Sequence, residues 1–286
     1  MDRELVFAVL CAWVLAPLLA LGAFVANRSR APLPADERVA GSTLEAEAGW
    51  RLLAPLLPAG LGLVGLVGWA LREPDHAEVP PWPMLALSAL PWLLWGRAFA
   101  RAARAFWHPV AGPAATVGFY RRRIVVSPAF AATLDEAAHE AMMAHERAHA
   151  RHHDPLRLWL AQLSTDLQWP LPGARARLDA YCNAVELARD DEARLEVDGA
   201  DLATAVLKAA RSGHGLEPAT AGIASKGSAL KRRIERLLAP VPPALPAPQL
   251  QPKSFALAFA AALALSLGCG LHFGEAVISR AFGLQF

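Results

Sequence analysis

His145-Glu146-x-x-His149 sits inside "AHERAHARHH" (residues 144–153), an alanine-rich stretch of a chain with nine histidines. Histidines four residues apart on a helix share a face, so two imidazoles aim at one point, as two ligands of a tetrahedral zinc must. Glu146 directly follows the first histidine. A carboxylate there can take a proton from zinc-bound water and pass it to a leaving amine. A biased helix can produce the same spacing by accident, but this segment has its own start signal. Thr133-Leu134-Asp135-Glu136 reads as a capping box in which Thr133 caps and Glu136 reaches back. The helix should then run to about Ala150 and end before Pro155.

A catalytic zinc needs a third protein ligand and one open position. Six residues after His149 stands Pro155, and Gly is missing at position 152, so the three-histidine metzincin pattern is excluded. A gluzincin takes a glutamate from a later helix, and "ELARD" supplies Glu186 with Asp190 one turn on, on the same face. Glu186 then binds zinc while Asp190 orients a ligand histidine. Asp191, Glu192 and Glu196 nearby leave open a plain solvated acidic face. Other candidates read as bystanders. His152 belongs to the helix end and its dipole, and His139-Glu140 lacks a second histidine because Met143 occupies that position. His108 marks a turn or lines a cleft, His272 is interfacial, and Cys182 is a small packed residue. For the oxyanion, Tyr120, Tyr181 and several arginines stand equal.

The elements that position these residues are mostly apolar. Hydrophobic residues make up 55% of the 286 and charged ones 19%, which directs attention to membrane spans. Four runs qualify: 5–26, 52–71, the shorter proline-interrupted 79–96, and 254–271. The charged start Asp2-Arg3-Glu4 and the long core of the first run favour a retained span over a cleaved signal. A net charge of +2 gives no support to nucleic-acid binding, and Cys11, Cys182 and Cys269 have no metal-type spacing. Arg28, Arg30, Arg38 and Arg51 follow the first span, only Arg72 follows the second, and Arg97, Arg101 and Arg104 follow the third. The positive-inside rule then puts residues 97–252 in the cytoplasm and both termini outside.

Within that polar segment, 97–107 reads as a basic amphipathic continuation of the third span, and 115–127 as a small hairpin. Helices are expected over 156–169, about 175–196, about 200–212 and 228–238, the last basic (SALKRRIERLL). The expected fold is mainly α: a four-span integral membrane protein with a cytoplasmic gluzincin-type α+β domain between spans three and four. The divisions are 1–96 (three spans), 97–238 (zinc metalloprotease), 239–252 (proline-rich linker) and 253–286 (fourth span and short tail).

Residues 123–155 (RIVVSPAFAATLDEAAHEAMMAHERAHARHHDP), 186–193 (ELARDDEA) and 230–238 (LKRRIERLL) resemble the corresponding segments of BlaR/MecR-type antirepressor membrane metallopeptidases. The order of three spans, gluzincin domain and fourth span is also similar. The resemblance implies a bacterial cytoplasmic membrane location and one zinc per chain. It also implies signal-dependent cleavage of a protein substrate, a cytoplasmic transcriptional repressor, with self-cleavage in some members. Members that sense antibiotics carry a sensor domain after the last span, whereas this chain ends about fifteen residues beyond that span, so no C-terminal sensor is expected. Partners expected are the substrate and the lipid bilayer, with no direct nucleic-acid binding; a homodimer is compatible with this. Two competing readings are an HtpX/Ste24-like quality-control protease and a catalytically inactive membrane signalling protein.

Overall fold

A computed structural model of the chain describes residues 2–28, 39–71, 81–107, 113–212 and 223–240. The expected fourth span, most of the proline-rich linker, His108 and His272 lie outside the described residues. The fold is mainly helical. Helix α1 (Asp2–Arg28) is followed by α2 (Gly41–Leu53), a 3-10 turn (Ala54–Leu56) and α3 (Leu57–Ala70). Then come α4 (Trp82–Trp107), the strands β1 (Ala114–Val117) and β2 (Arg123–Val126), and the one-turn α5 (Pro128–Ala131). Helices α6 (Glu136–Arg151), α7 (Asp154–Leu167), α8 (Ala174–Ala193), α9 (Gly199–Arg211) and α10 (Ile223–Leu238) complete it.

Among the described residues two helical runs, Leu5–Arg28 and Gly41–Ala70, are long and apolar enough to cross a membrane. Helix α4 covers the expected third span, but Pro83, Pro91, its tryptophans and Arg97 dilute it below the same standard. Helices α1 and α3 are antiparallel neighbours sharing a core of Val6, Leu10, Cys11, Leu66 and Trp69. Gly22 permits this approach, because a Cβ there would lie 2.3 Å from the Pro55 carbonyl oxygen.

The sequence pattern did not reveal α2. Residues 41–53 carry two glutamates and read as part of a polar loop, yet Leu44, Ala48 and Leu52 recur every fourth residue. They bury that stripe against Leu178, Tyr181, Ala184 and Val185 of α8. Burying Leu44, Leu52 and Leu178 contributes roughly 1.5–3 kcal/mol each. Gly41 sets the closeness of the contact, since a Cβ there would stand 2.6 Å from the Ala188 backbone. The helix N-terminus is pinned by Gly41 N–H donating to Asp191 Oδ2 at 2.7 Å.

Helix α6 lies at the centre of the polar half. Its alanines let neighbours approach: Ala141 and Ala144 meet Ala193, Leu202, Val206 and Leu237, while Ala138 and Met142 meet Phe130 and Ala205. Its start corrects the expected capping box. The cap is Asp135, whose carboxylate accepts from Ala138 N–H at 2.8 Å. Thr133 instead donates its hydroxyl to the Phe130 carbonyl and closes α5. Asp135 has the extended backbone that a cap requires and offers a charged acceptor, so it outcompetes the hydroxyl two residues earlier. The hairpin forms where expected, pairing Ala114–Val117 antiparallel with Val126–Arg123, and β1 lies alongside α6.

Candidate metal centre

The helical period of α6 stacks His145 and His149 one turn apart on its buried side, where they are 4% and 8% exposed. Their Nε2 atoms are 3.0 Å apart. Helix α8 brings Glu186 opposite: Oε2 is 3.6 Å from His145 Nε2, and Oε1 is 3.6 Å from His149 Nε2. Two nitrogens and a carboxylate oxygen about 2.0–2.2 Å from a tetrahedral zinc stand roughly 3.3–3.5 Å from one another. The observed triangle fits that ion with small adjustments, and among the described residues it is a group that could hold a metal ion.

Each ligand histidine is backed at its other nitrogen. His145 Nδ1 lies 3.0 Å from Asp190 Oδ1, an ion-pair distance but off-line for a hydrogen bond. His149 Nδ1 is hydrogen-bonded at 2.8 Å to Asp154 Oδ2. Carboxylates in these positions fix the tautomer that leaves Nε2 free to ligate. Asp154 reaches His149 because the chain reverses at His153, whose φ of 58° is left-handed, and α7 restarts at once with Pro155 in its first turn. Sequence spacing pointed to Asp190 and missed Asp154. An aspartate at the entry of the next helix, five residues past the second histidine, was the available signal.

A second missed residue, Arg233 of α10, sits within the cluster. Its Nε and Nη2 donate to the two Asp190 oxygens at 2.6 and 2.9 Å, and Nη1 lies 2.7 Å from Glu186 Oε2. Burial alone would raise the Glu186 and Asp190 carboxyls, but Arg233 and the histidines hold both well below the usual range. Burial alone would lower His145; Asp190 and Glu186 raise it instead to about 10. Metal binding at Nε2 must therefore displace a proton.

Glu146 is buried beside the ligands. The Thr116 hydroxyl of β1 lies 2.9 Å from both its Oε2 and its backbone carbonyl. These residues border a cleft of about 210 Å³, with apolar walls from Pro113, Ala114, Ala115, Met142, Leu158 and Val206. Among the described residues β1 pairs only with β2, and residues 113–116 line the same cleft as His145 and His149.

The bystanders are resolved as well. His152 caps α6 at its C-terminus and contacts Glu192 Oε2 at 2.8 Å. Cys182 packs against the α2–α8 core. Tyr120 is 90% exposed and Tyr181 is buried under α2, so neither tyrosine lines the cleft, whereas Arg233 does. The acidic run is engaged: Asp190 by Arg233, Asp191 by Arg236, and Glu192 by Arg151.

Two histidines and a glutamate converging beside a glutamate in a cleft with a free strand edge define the class, a metallopeptidase centre. Residues 107–237 match the model of the family described as BlaR1 peptidase M56, which spans every residue of that centre. Residues 107–237 are thus similar to the BlaR1-type metallopeptidases, and the apolar helices of the chain agree with a membrane-associated protein. No curated protein and no solved structure matches the chain.

Proposed function

We propose that the chain is a membrane-embedded zinc endopeptidase whose active site faces the cytoplasm and which cleaves a cytoplasmic regulator in response to a signal. The observation that carries this reading is the convergence of His145, His149 and Glu186 next to Glu146 in a cleft lined by β1. One zinc held by those three residues supplies Lewis acidity and an acidified water at neutral pH. Glu146, steadied by Thr116, takes a proton from the attacking water at a carboxylate oxygen and returns it to the leaving amine. An extended substrate adds as a strand to the free edge of β1, so its backbone is held by hydrogen bonds while alternate side chains enter the apolar cleft. Asp190 and Asp154 keep the ligand imidazoles oriented throughout.

Three contacts support a common orientation of the first three expected spans. Asn27 at the end of α1 donates to the Pro172 carbonyl. Gln168 of the α7 C-cap donates to Leu52 near the start of the apolar run. Trp159 donates to Ala102 near the end of α4. All three apolar helices thus present to the metallopeptidase half the ends that carry arginines. With the positive-inside rule this supports a cytoplasmic placement, with the fourth span following α10.

Zinc per chain in the detergent-purified protein tests the reading, with wild type compared to Glu186→Ala and Glu146→Gln. Expected are about one zinc in wild type, clear loss in Glu186→Ala, and retention in Glu146→Gln with peptide hydrolysis reduced by roughly 10²–10⁴-fold. A well-folded wild type without zinc would refute it.

A further inference from the structure

Outside the cleft, buried charges concentrate where α2 crosses α8 beside the start of α7. Glu45 of α2 is 7% exposed, Arg189 of α8 2%, and Asp154 of α7 1%. Arg189 Nη2 donates to both Glu45 oxygens at 3.0 and 3.1 Å. The same guanidinium grips Asp154, with Nε 2.5 Å from Oδ2 and Nη2 3.1 Å from Oδ1. Asp154 Oδ2 also takes the hydrogen bond of His149 Nδ1. Arg157 closes the group from the solvent side, with Nη1 2.5 Å from Glu45 and 3.3 Å from Asp154. Glu45 and Asp154 face the two guanidiniums, Glu192 lies 3.8 Å from Arg189 Nη1, and the contacts run α2 to α8 to α7 to His149 on α6.

We infer that Glu45 is a positioning residue of the metal centre, acting on His149 through Arg189 and Asp154. This deepens the proposed function and rests on it. The reason is competition for one oxygen, because Asp154 Oδ2 accepts from both Arg189 and His149. While Glu45 shares the guanidinium, Asp154 keeps enough negative charge to hold the imidazole N–H and orient Nε2. Without Glu45 more of the positive charge of Arg189 falls on Asp154, with only Glu192 at 3.8 Å still sharing it, and the His149 bond weakens. Glu45 lies near the start of the helical run Gly41–Ala70, whose apolar part is long enough to cross a membrane. The ligand geometry is thereby tied to the seating of that helix.

The test uses the full chain in detergent with Glu45→Gln, Asp154→Asn and the double variant, plus Arg189→Lys in case Glu45→Gln fails to fold. The readouts are zinc affinity by chelator competition, the visible spectrum of the cobalt-substituted protein, and Tm. Glu45→Gln should weaken zinc about tenfold and Asp154→Asn about 10–100-fold, as outer partners of a ligand histidine do. The double variant should match Asp154→Asn alone, because Glu45 works through that residue. Arg189→Lys, which keeps the charge but loses the fork, should also weaken zinc and change the cobalt spectrum. Lower Tm with unchanged zinc affinity and cobalt spectrum would overturn the inference, as would losses that multiply in the double variant. A wild type that takes up no zinc would bring down the metal-centre reading itself, and this inference with it.

Discussion

Replacing Arg233 by methionine separates the stability of the metal-free centre from that of the loaded one. Arg233 makes three short contacts, 2.6 and 2.9 Å to Asp190 and 2.7 Å to Glu186. Hydrogen bonds to charged groups contribute about 1.5–3 kcal/mol each. Methionine fills part of the volume and removes the burial cost of the guanidinium, so the loss is smaller than the sum. What remains is the buried Asp190 and the partly exposed Glu186 short of a cation, and breaking a buried pair costs about 3–5 kcal/mol. At about 2–4 °C per kcal/mol for a unit of this size, Tm of the chelator-treated protein should fall by roughly 6–20 °C. Zinc changes the outcome, since it takes over the charge of Glu186 and no longer meets a neighbouring guanidinium. The loaded variant should recover at least one contact, about 1.5–3 kcal/mol. Equivalently, zinc should bind the folded variant roughly 10–150-fold more tightly than wild type. Unfolding followed by tryptophan fluorescence, with chelator and with excess zinc, measures both. An equal drop under the two conditions, or no drop in chelator, would refute the assignment of Arg233 as the cation that balances the ligand carboxylates.

Three further outcomes follow from the same geometry. Thr116→Val removes the hydroxyl that steadies Glu146; kcat should fall about tenfold with zinc content unchanged, since a loosened base still reaches its proton. Gly41→Ala would press a Cβ to 2.6 Å from the Ala188 backbone, and a loss of about 1–3 kcal/mol is expected by thermal unfolding; unchanged stability would mean that α2 does not seat there. Burial pushes the Cys182 thiol up to about 12, so at pH 8 almost none is thiolate. With Cys11 and Cys269 replaced by alanine, a thiol reagent should label the chain slowly until denaturant is added.

Several features that depended on local periodicity were legible in the sequence. The four-residue spacing in α6 and again in α8 placed His145, His149, Glu186 and Asp190, because an α-helix turns such spacing into a shared face. The hairpin and the helices after Pro155 came within a few residues for the same reason. Thr133 was misread because a capping box and a plain aspartate cap differ by two residues, and only backbone angles separate them. Arg189, Arg233 and Thr116 gave no signal beyond their charge or polarity, and Asp154 offered only its place at the entry of the next helix. Their partners are brought close by tertiary packing: Glu45 is 144 residues from Arg189, and Asp190 is 43 from Arg233. Helix α2 was hidden for a related reason, since its apolar stripe is short and its glutamates face a cation that lies far along the chain.

The separation between Glu45 and Arg189 also sets an order of events during synthesis. At roughly 5–20 residues per second, the α2 segment leaves the ribosome about 7–30 seconds before Arg189 does. In that interval Arg157 and Ala161 of α7 emerge first, and the partners on α8 come last. The Asp190 carboxylate waits a further 43 residues for Arg233. The ligand set therefore closes late, after the first apolar helices have emerged and α10 has folded back onto α8. A chain stalled or truncated before α10 would hold both histidines and both glutamates yet lack the cation that seats them.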